Sequence, residues 1–121
     1  MQTLFYSLLL LLISSCSTSP VHKIDKEGIR STFSTNTVPL RNCYEGQLKE
    51  NPNFEGKVML EFNIGPKGKV MSSKVDLDKS SLKNDDLHKC LLKELNTLTF
   101  PAPQTSKEVN VIYPLTFSRK K

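Results

Sequence analysis

Between Lys57 and Ile64 the chain alternates without a break: Val58, Leu60, Phe62 and Ile64 take turns with Lys57, Met59, Glu61 and Asn63. Side chains along a strand project to opposite faces with period two, so this segment reads as a strand with one buried face. That face has to be covered, and the neighbouring segments are what is available to cover it. Gly65-Pro66-Lys67-Gly68 is a turn, and Lys69 to Leu77 returns as a second strand, making a hairpin. Near the other end, Val109, Val111, Tyr113, Leu115 and Phe117 alternate with Asn110, Ile112, Pro114 and Thr116, a third strand running roughly from Glu108 to Phe117. Proline cannot donate to a ladder, so this strand belongs at a sheet edge with position 114 facing out.

Two segments carry the helical period instead. Leu40, Cys43, Tyr44, Gln47 and Leu48 are spaced for one helix face over Val38 to Glu50, with Pro39 in the tolerant first turn and Asn51-Pro52 as the stop. Ile29 and Phe33 are four apart, but Ser31, Thr32, Ser34, Thr35 and Thr37 weaken a helix there. Asn84 is placed to cap a second helix whose first turn holds Asp85 and Asp86; Leu87, Cys90, Leu91, Glu94, Leu95 and Leu98 follow as a mostly apolar stripe. Phe100-Pro101-Ala102-Pro103 ends it. The order is α-β-β-α-β, an α+β fold with two helices on one face of a three-stranded antiparallel or mixed sheet. If the last strand pairs with the first, away from the hairpin partner, the second helix is a crossover and Cys43 and Cys90 come within bridging reach.

The first residues place the chain in a compartment. Leu8 to Ile13 is an apolar run too short for the ~20 residues of a membrane-spanning helix, and it reads as a signal-peptide core. Ile13-Ser14-Ser15-Cys16 resembles the bacterial lipobox, in which an aliphatic residue and two small ones precede the cysteine that is acylated. The resemblance implies a lipoprotein signal over residues 1–15, cleavage before Cys16 and a lipidated tether over 16–27, polar and containing Pro20, ahead of a domain over 28–121. Multiple acyl chains hold a terminus durably in a bilayer. Ser17 after the cysteine favours, by likeness to other lipoproteins, the outer membrane and the periplasmic face of a bacterial envelope. With Cys16 carrying lipid, Cys43 and Cys90 remain as one pair in an oxidising compartment. A bridge between them would close a long loop, worth roughly 4 kcal/mol in the chain-entropy model.

Catalytic chemistry needs convergent groups, and none assemble here. His22 lies in the tether, and His88, beside Lys89, reads as a solvated helix residue. His88 and Cys90 point to different faces and make a poor zinc pair. Gly65-Pro66-Lys67-Gly68-Lys69 lacks the spacing of a phosphate loop. No cofactor, metal site or catalytic residue is expected. Lysine and arginine number 17 against 12 acids, net +5, with Lys67, Lys69, Lys74, Lys79 and Lys83 around the hairpin and linker. Aromatics fall on core positions and not among those charges, which argues against nucleic acid. A solvated basic face, or attraction to anionic headgroups or wall polymers, accounts for the charge.

Several spaced motifs resemble the AgmX/PglI-type C-terminal domain, a branch of the TonB C-terminal-like modules. They are Arg41-Asn42-Cys43-Tyr44-Glu45, Pro52, Gly56-Lys57-Val58, Gly68-Lys69-Val70, Leu87-His88-Lys89-Cys90, Phe100-Pro101-Ala102-Pro103 and Val111-Ile112-Tyr113-Pro114-Leu115-Thr116-Phe117. The resemblance covers roughly Ile29 to Phe117. It implies a non-catalytic protein–protein interaction module whose last strand receives a partner's extended segment, with Val109, Val111, Ile112, Tyr113, Leu115 and Phe117 on the receiving edge. The alternatives are an accessory lipoprotein that braces an envelope or motility complex through its helix face or basic surface, and an inhibitor of an exported hydrolase.

Overall fold

The structure, a computed structural model, describes residues 26–119. The signal segment 1–15, Cys16 and the tether up to residue 25 lie outside the described residues. Six elements follow in order: α1 (Lys26–Thr35), α2 (Thr37–Leu48), β1 (Gly56–Ile64), β2 (Val70–Asp76), α3 (Asp85–Leu95) and β3 (Val109–Phe117). There are thus three helices among the described residues and not two, and α1 starts two residues inside the span read as tether.

The extra helix and its break have one cause. Pro39 has no N–H to give to the carbonyl four residues back, Thr35, and its ring would collide with that carbonyl, so a continuous helix through both segments is forbidden. The chain breaks at Asn36, whose backbone N–H reaches the Thr32 carbonyl at 3.2 Å and whose side chain donates to the same oxygen at 2.8 Å. The serines and threonines that weaken helix propensity are here folded into it: Thr32 donates to the Gly28 carbonyl at 2.8 Å and Thr37 to the Phe33 carbonyl at 3.1 Å. Packing of Ile29 and Phe33 into the core supplies what propensity lacks. α3 starts as its sequence implies, with the Leu87 N–H donating to the Asn84 side chain at 2.8 Å. It stops at Leu95, so Leu98, still buried, belongs to the connection beyond it.

The sheet has the order β2-β1-β3 with both pairings antiparallel, which settles the antiparallel or mixed alternative. β2 and β3 therefore run parallel to each other on either side of β1, and α3 crosses between them. The hairpin turn closes through the Gly68 N–H to the Gly65 carbonyl at 2.9 Å, and Gly68 has φ +85°. Its carbonyl accepts from the Phe100 N–H at 2.8 Å, and a Cβ at this position would run into the Phe100 carbonyl oxygen. Only glycine meets both demands.

One face of the sheet is covered. Val58, Leu60, Phe62 and Ile64 are buried together with Ile29 and Phe33 of α1, Leu40 and Tyr44 of α2, and Leu87, Leu91 and Leu95 of α3. Aromatic rings tie the layers: Phe33 lies edge-on to Phe62 (6.1 Å) and Phe100 (5.5 Å), while Tyr44 stacks on Phe117 at 4.9 Å. Cys43 and Cys90 form a disulfide between α2 and α3, with Cα atoms 5.7 Å apart and a sequence separation of 47. His88 is buried, with Nε2 2.7 Å from the Leu82 carbonyl, which corrects the reading of it as a solvated residue. The loop 82–84 folds back over the start of α3 and supplies the partner that a buried imidazole needs.

Cys90→Ser lowers stability by about 4 kcal/mol on the chain-entropy estimate. Thermal melts of the variant should match those of the parent chain in strong reductant. Gly68→Ala costs at least about 1 kcal/mol through backbone strain alone, and more through the clash, with the same measurement as the check.

Candidate functional site

Among the described residues β3 pairs on one side only, and the direction in which each of its residues points follows from β1. The Met59 N–H donates to Ser80 Oγ at 2.8 Å, the Lys57 N–H donates to Ser81 Oγ at 2.8 Å, and the Lys57 carbonyl accepts from the Ser81 and Leu82 N–H groups. Odd-numbered residues of β1 thus turn their backbone groups toward the β2 side, and even-numbered ones toward β3. In an antiparallel pair the residues that exchange hydrogen bonds alternate with those that do not. Val58 with Leu115, Leu60 with Tyr113 and Phe62 with Val111 are therefore the bonded pairs, and Asn110, Ile112, Pro114 and Thr116 point their backbone groups away from the sheet. Pro114, opposite Met59, sits where its missing N–H takes nothing from the ladder.

The six residues expected at the receiving edge do not act alike. Val111 and Phe117 are buried core, Tyr113 is stacked on Phe33 with centroids 4.1 Å apart, and Val109 and Leu115 are half-buried against the core. Ile112 alone of the six presents an exposed side chain, 52% accessible. What this edge offers a partner is backbone, with side chains mostly committed inward. Beside it lies a cleft of about 250 Å³ between β3 and the α1–α2 junction, lined by Phe33, Thr37, Leu40, Arg41, Tyr113 and Pro114 among others. The helical side of that cleft is absent from the sequence expectation, because it exists only where α1 and α2 meet at the Asn36 break.

The opposite edge is less regular. β2 carries a bulge at Met71, since Asn63 pairs with Ser72 while Ile64 pairs with Val70. Lys69 is bridged to Thr99, and Ser73 Oγ donates to Asn96 Oδ1 at 2.8 Å, so residues after α3 lie against this side. β3, at nine residues without a bulge, is the longer unbroken edge.

A cluster of hydrogen bonds fastens the C-terminal end of β3. Arg119 donates from its backbone N–H and from Nε to Glu55 Oε1, both at 3.0 Å, and from Nη1 to Asn53 Oδ1 at 3.1 Å and the Pro52 carbonyl at 3.3 Å. Arg41, paired with Glu45 at 3.0 Å, also donates to the Ser118 carbonyl at 3.3 Å. The Arg119 backbone N–H first, and then its guanidinium, hold the Glu55 carboxyl below its ordinary pKa. Inside, Tyr44 is fully buried with its hydroxyl donating to the Phe54 carbonyl, and burial pushes its pKa up. Among the described residues no group of three or more His, Cys, Asp or Glu is placed to hold a metal ion, and no helix is long and apolar enough to cross a membrane.

Among solved structures the chain is similar to the solution structure of the Helicobacter pylori TonB C-terminal domain, residues 179–285. The identity is 18%, the overlap covers 84% of this chain and 99% of that one, and the TM-score is 0.47. No family model and no curated protein matches the chain.

The depressed Glu55 carboxyl has a definite pH signature. A group whose pKa is lower folded than unfolded stabilises the fold above its unfolded value, and that contribution disappears as pH falls through the folded one. Glu55→Gln should therefore lower the melting temperature at neutral pH and approach the parent chain in acid. Paired melts from pH 7 down to pH 2 check it, and an unchanged gap across that range would rule out the Arg119–Glu55 bonds as its source.

Proposed function

We propose that this chain is a lipid-anchored, non-catalytic protein-interaction module of the TonB C-terminal-like, AgmX/PglI type, facing the periplasm from the outer membrane. In this reading residues 1–15 are removed as a signal, Cys16 carries the lipid, residues 16–27 are the tether, and the domain over 28–121 binds an envelope protein by strand addition to β3. The motif resemblance supports the type of module, and the lipobox supports the anchor. The observation that carries the binding mode is the free nine-residue edge, with the backbone groups of Asn110, Ile112 and Thr116 turned outward beside a cleft. A segment added there continues the sheet, and its inward side chains fall over Phe33, Leu40 and Arg41. Pro114 deletes one donor from the outer row, so a partner pairs most completely along Asn110 and Ile112, where donors and acceptors follow in sequence.

Ile112→Pro removes an outward donor without touching the bonds to β1, whereas proline at Val111 would break the ladder itself. With a photo-crosslinking residue at Thr116, cells should yield a discrete adduct that disappears in Ile112→Pro and persists in Ile112→Thr, both variants remaining folded by thermal melt. An adduct undiminished by the proline overturns strand addition. Mass measurement of the membrane-extracted protein should give a product starting at an acylated Cys16; an unmodified Cys16 overturns the anchor and with it the placement at the outer membrane.

A further inference from the structure

The sheet face that no helix covers among the described residues holds a polar depression of about 260 Å³, separate from the β3 edge cleft, whose side chains come from all three strands: Glu61 and Asn63 of β1, Ser72 and Lys74 of β2, and Asn110 of β3. Strand register places Asn63 between Ser72 and Asn110, and Glu61 between Lys74 and Ile112. The amides are held in place before any ligand arrives. Asn110 Nδ2 donates to Asn63 Oδ1 at 2.9 Å and to Glu61 Oε1 at 3.5 Å, and Asn63 Nδ2 donates to Glu108 Oε2 at 3.3 Å. Lys74 Nζ lies 3.6 Å from Glu61 Oε2, so the one cation of the depression is already paired, and Glu108 at its rim adds a further carboxylate.

We infer that this face binds a linear chain of uncharged, acetamido-bearing sugars, the chemistry of the glycan strand of a bacterial wall. Sugar hydroxyls both donate and accept, and the depression offers both: the Asn110 carboxamide oxygen and the carboxylates accept, while the Ser72 hydroxyl, the Lys74 ammonium and the second Asn63 N–H donate. The charge selects against phosphate-rich polymers, which would meet a paired lysine and a spare carboxylate in place of free cations. Ile112, exposed on this same face next to Asn110, provides apolar surface for an acetyl methyl. The envelope placement proposed above is needed only to supply the sugar; the site itself does not depend on a partner at the β3 edge.

The test is an NMR titration of the full chain in detergent micelles with chitohexaose, and with cellohexaose as the oligomer that lacks acetamido groups. Chitohexaose should shift the signals of Asn63, Ser72, Lys74 and Asn110 and leave Leu40 and Arg41 still, and cellohexaose should shift them less. Asn63→Ala and Asn110→Ala should each weaken binding about fivefold, the equivalent of one hydrogen bond, with melting temperature unchanged. Asn63→Ala, whose side chain lies on the face and whose strand is not the receiving edge, should keep the Thr116 adduct of the reading above, so the two proposals fail separately. Absence of shifts at millimolar sugar, shifts confined to other faces, or an equal response to cellohexaose overturns the inference.

Discussion

The parity of β1 is the constraint on which the remaining structure depends. In a strand, the same alternation that sends side chains to opposite faces also sends backbone groups to opposite edges. Val58, Leu60, Phe62 and Ile64 place their side chains in the core and their backbone groups toward β3; Lys57, Met59, Glu61 and Asn63 do the reverse on both counts. A slip of one residue would expose the four apolar side chains and turn Pro114 inward, where its missing N–H would leave a β1 carbonyl without a donor. Hydrophobic burial and the proline thus specify the same register independently. The free edge of β3 is a consequence of that agreement and needs no separate explanation.

Where β2 ends, β1 does not, and the chain has to satisfy the remaining groups by other means. β2 stops at Asp76 opposite Met59, yet β1 begins three residues earlier at Gly56. Ser80 and Ser81 take over, each hydroxyl accepting a β1 N–H, while the Ser81 and Leu82 N–H groups bond to the Lys57 carbonyl. Ser80 is buried and donates in turn to the Asp76 carbonyl at 2.7 Å, so its hydroxyl is saturated. The same loop supplies the Leu82 carbonyl to His88 and leads directly into the Asn84 cap of α3. α3 is therefore positioned at its start by backbone bonds and in its second turn by the disulfide to α2. Two independent ties matter for a small core whose layers would otherwise be joined by side-chain packing alone.

Period and turn chemistry made the strands, the hairpin and the two main helices legible from residues alone, because each obeys one local rule over enough positions to be distinctive. The α1–α2 break did not show, since Pro39 is equally at home in the first turn of one helix; what forbids a longer helix is a clash with Thr35, and that arises only if α1 exists. α1 in turn exists because Phe33 finds Phe62, Phe100 and Tyr113, partners 29, 67 and 80 positions away that no local pattern reveals. His88 was misread for the same reason, its partner being a carbonyl in a loop. At the candidate edge, the strand and its outward proline were visible, but the cleft beside it was not, because half of its lining belongs to the junction of two helices that the sequence presents as a weak segment followed by a strong one.

The two surfaces of the sheet proposed above for recognition would work differently, and the contrast follows from how each is made. At the β3 edge the available groups are backbone amides in a fixed row, indifferent to the identity of the side chains that bear them, so selectivity there has to come from the adjoining cleft, where Phe33 and Leu40 meet Arg41. On the open face the backbone is consumed by pairing on both sides of β1, and recognition rests on side chains locked to one another across strands. Strand addition as proposed would fail if the outward groups of the edge were removed while side chains stayed, and sugar binding as proposed would fail in the reverse case. Because Ile112 belongs to both, with its backbone on the edge and its side chain on the face, proline there alters the two together, whereas a polar side chain of similar shape changes the face and leaves the edge whole.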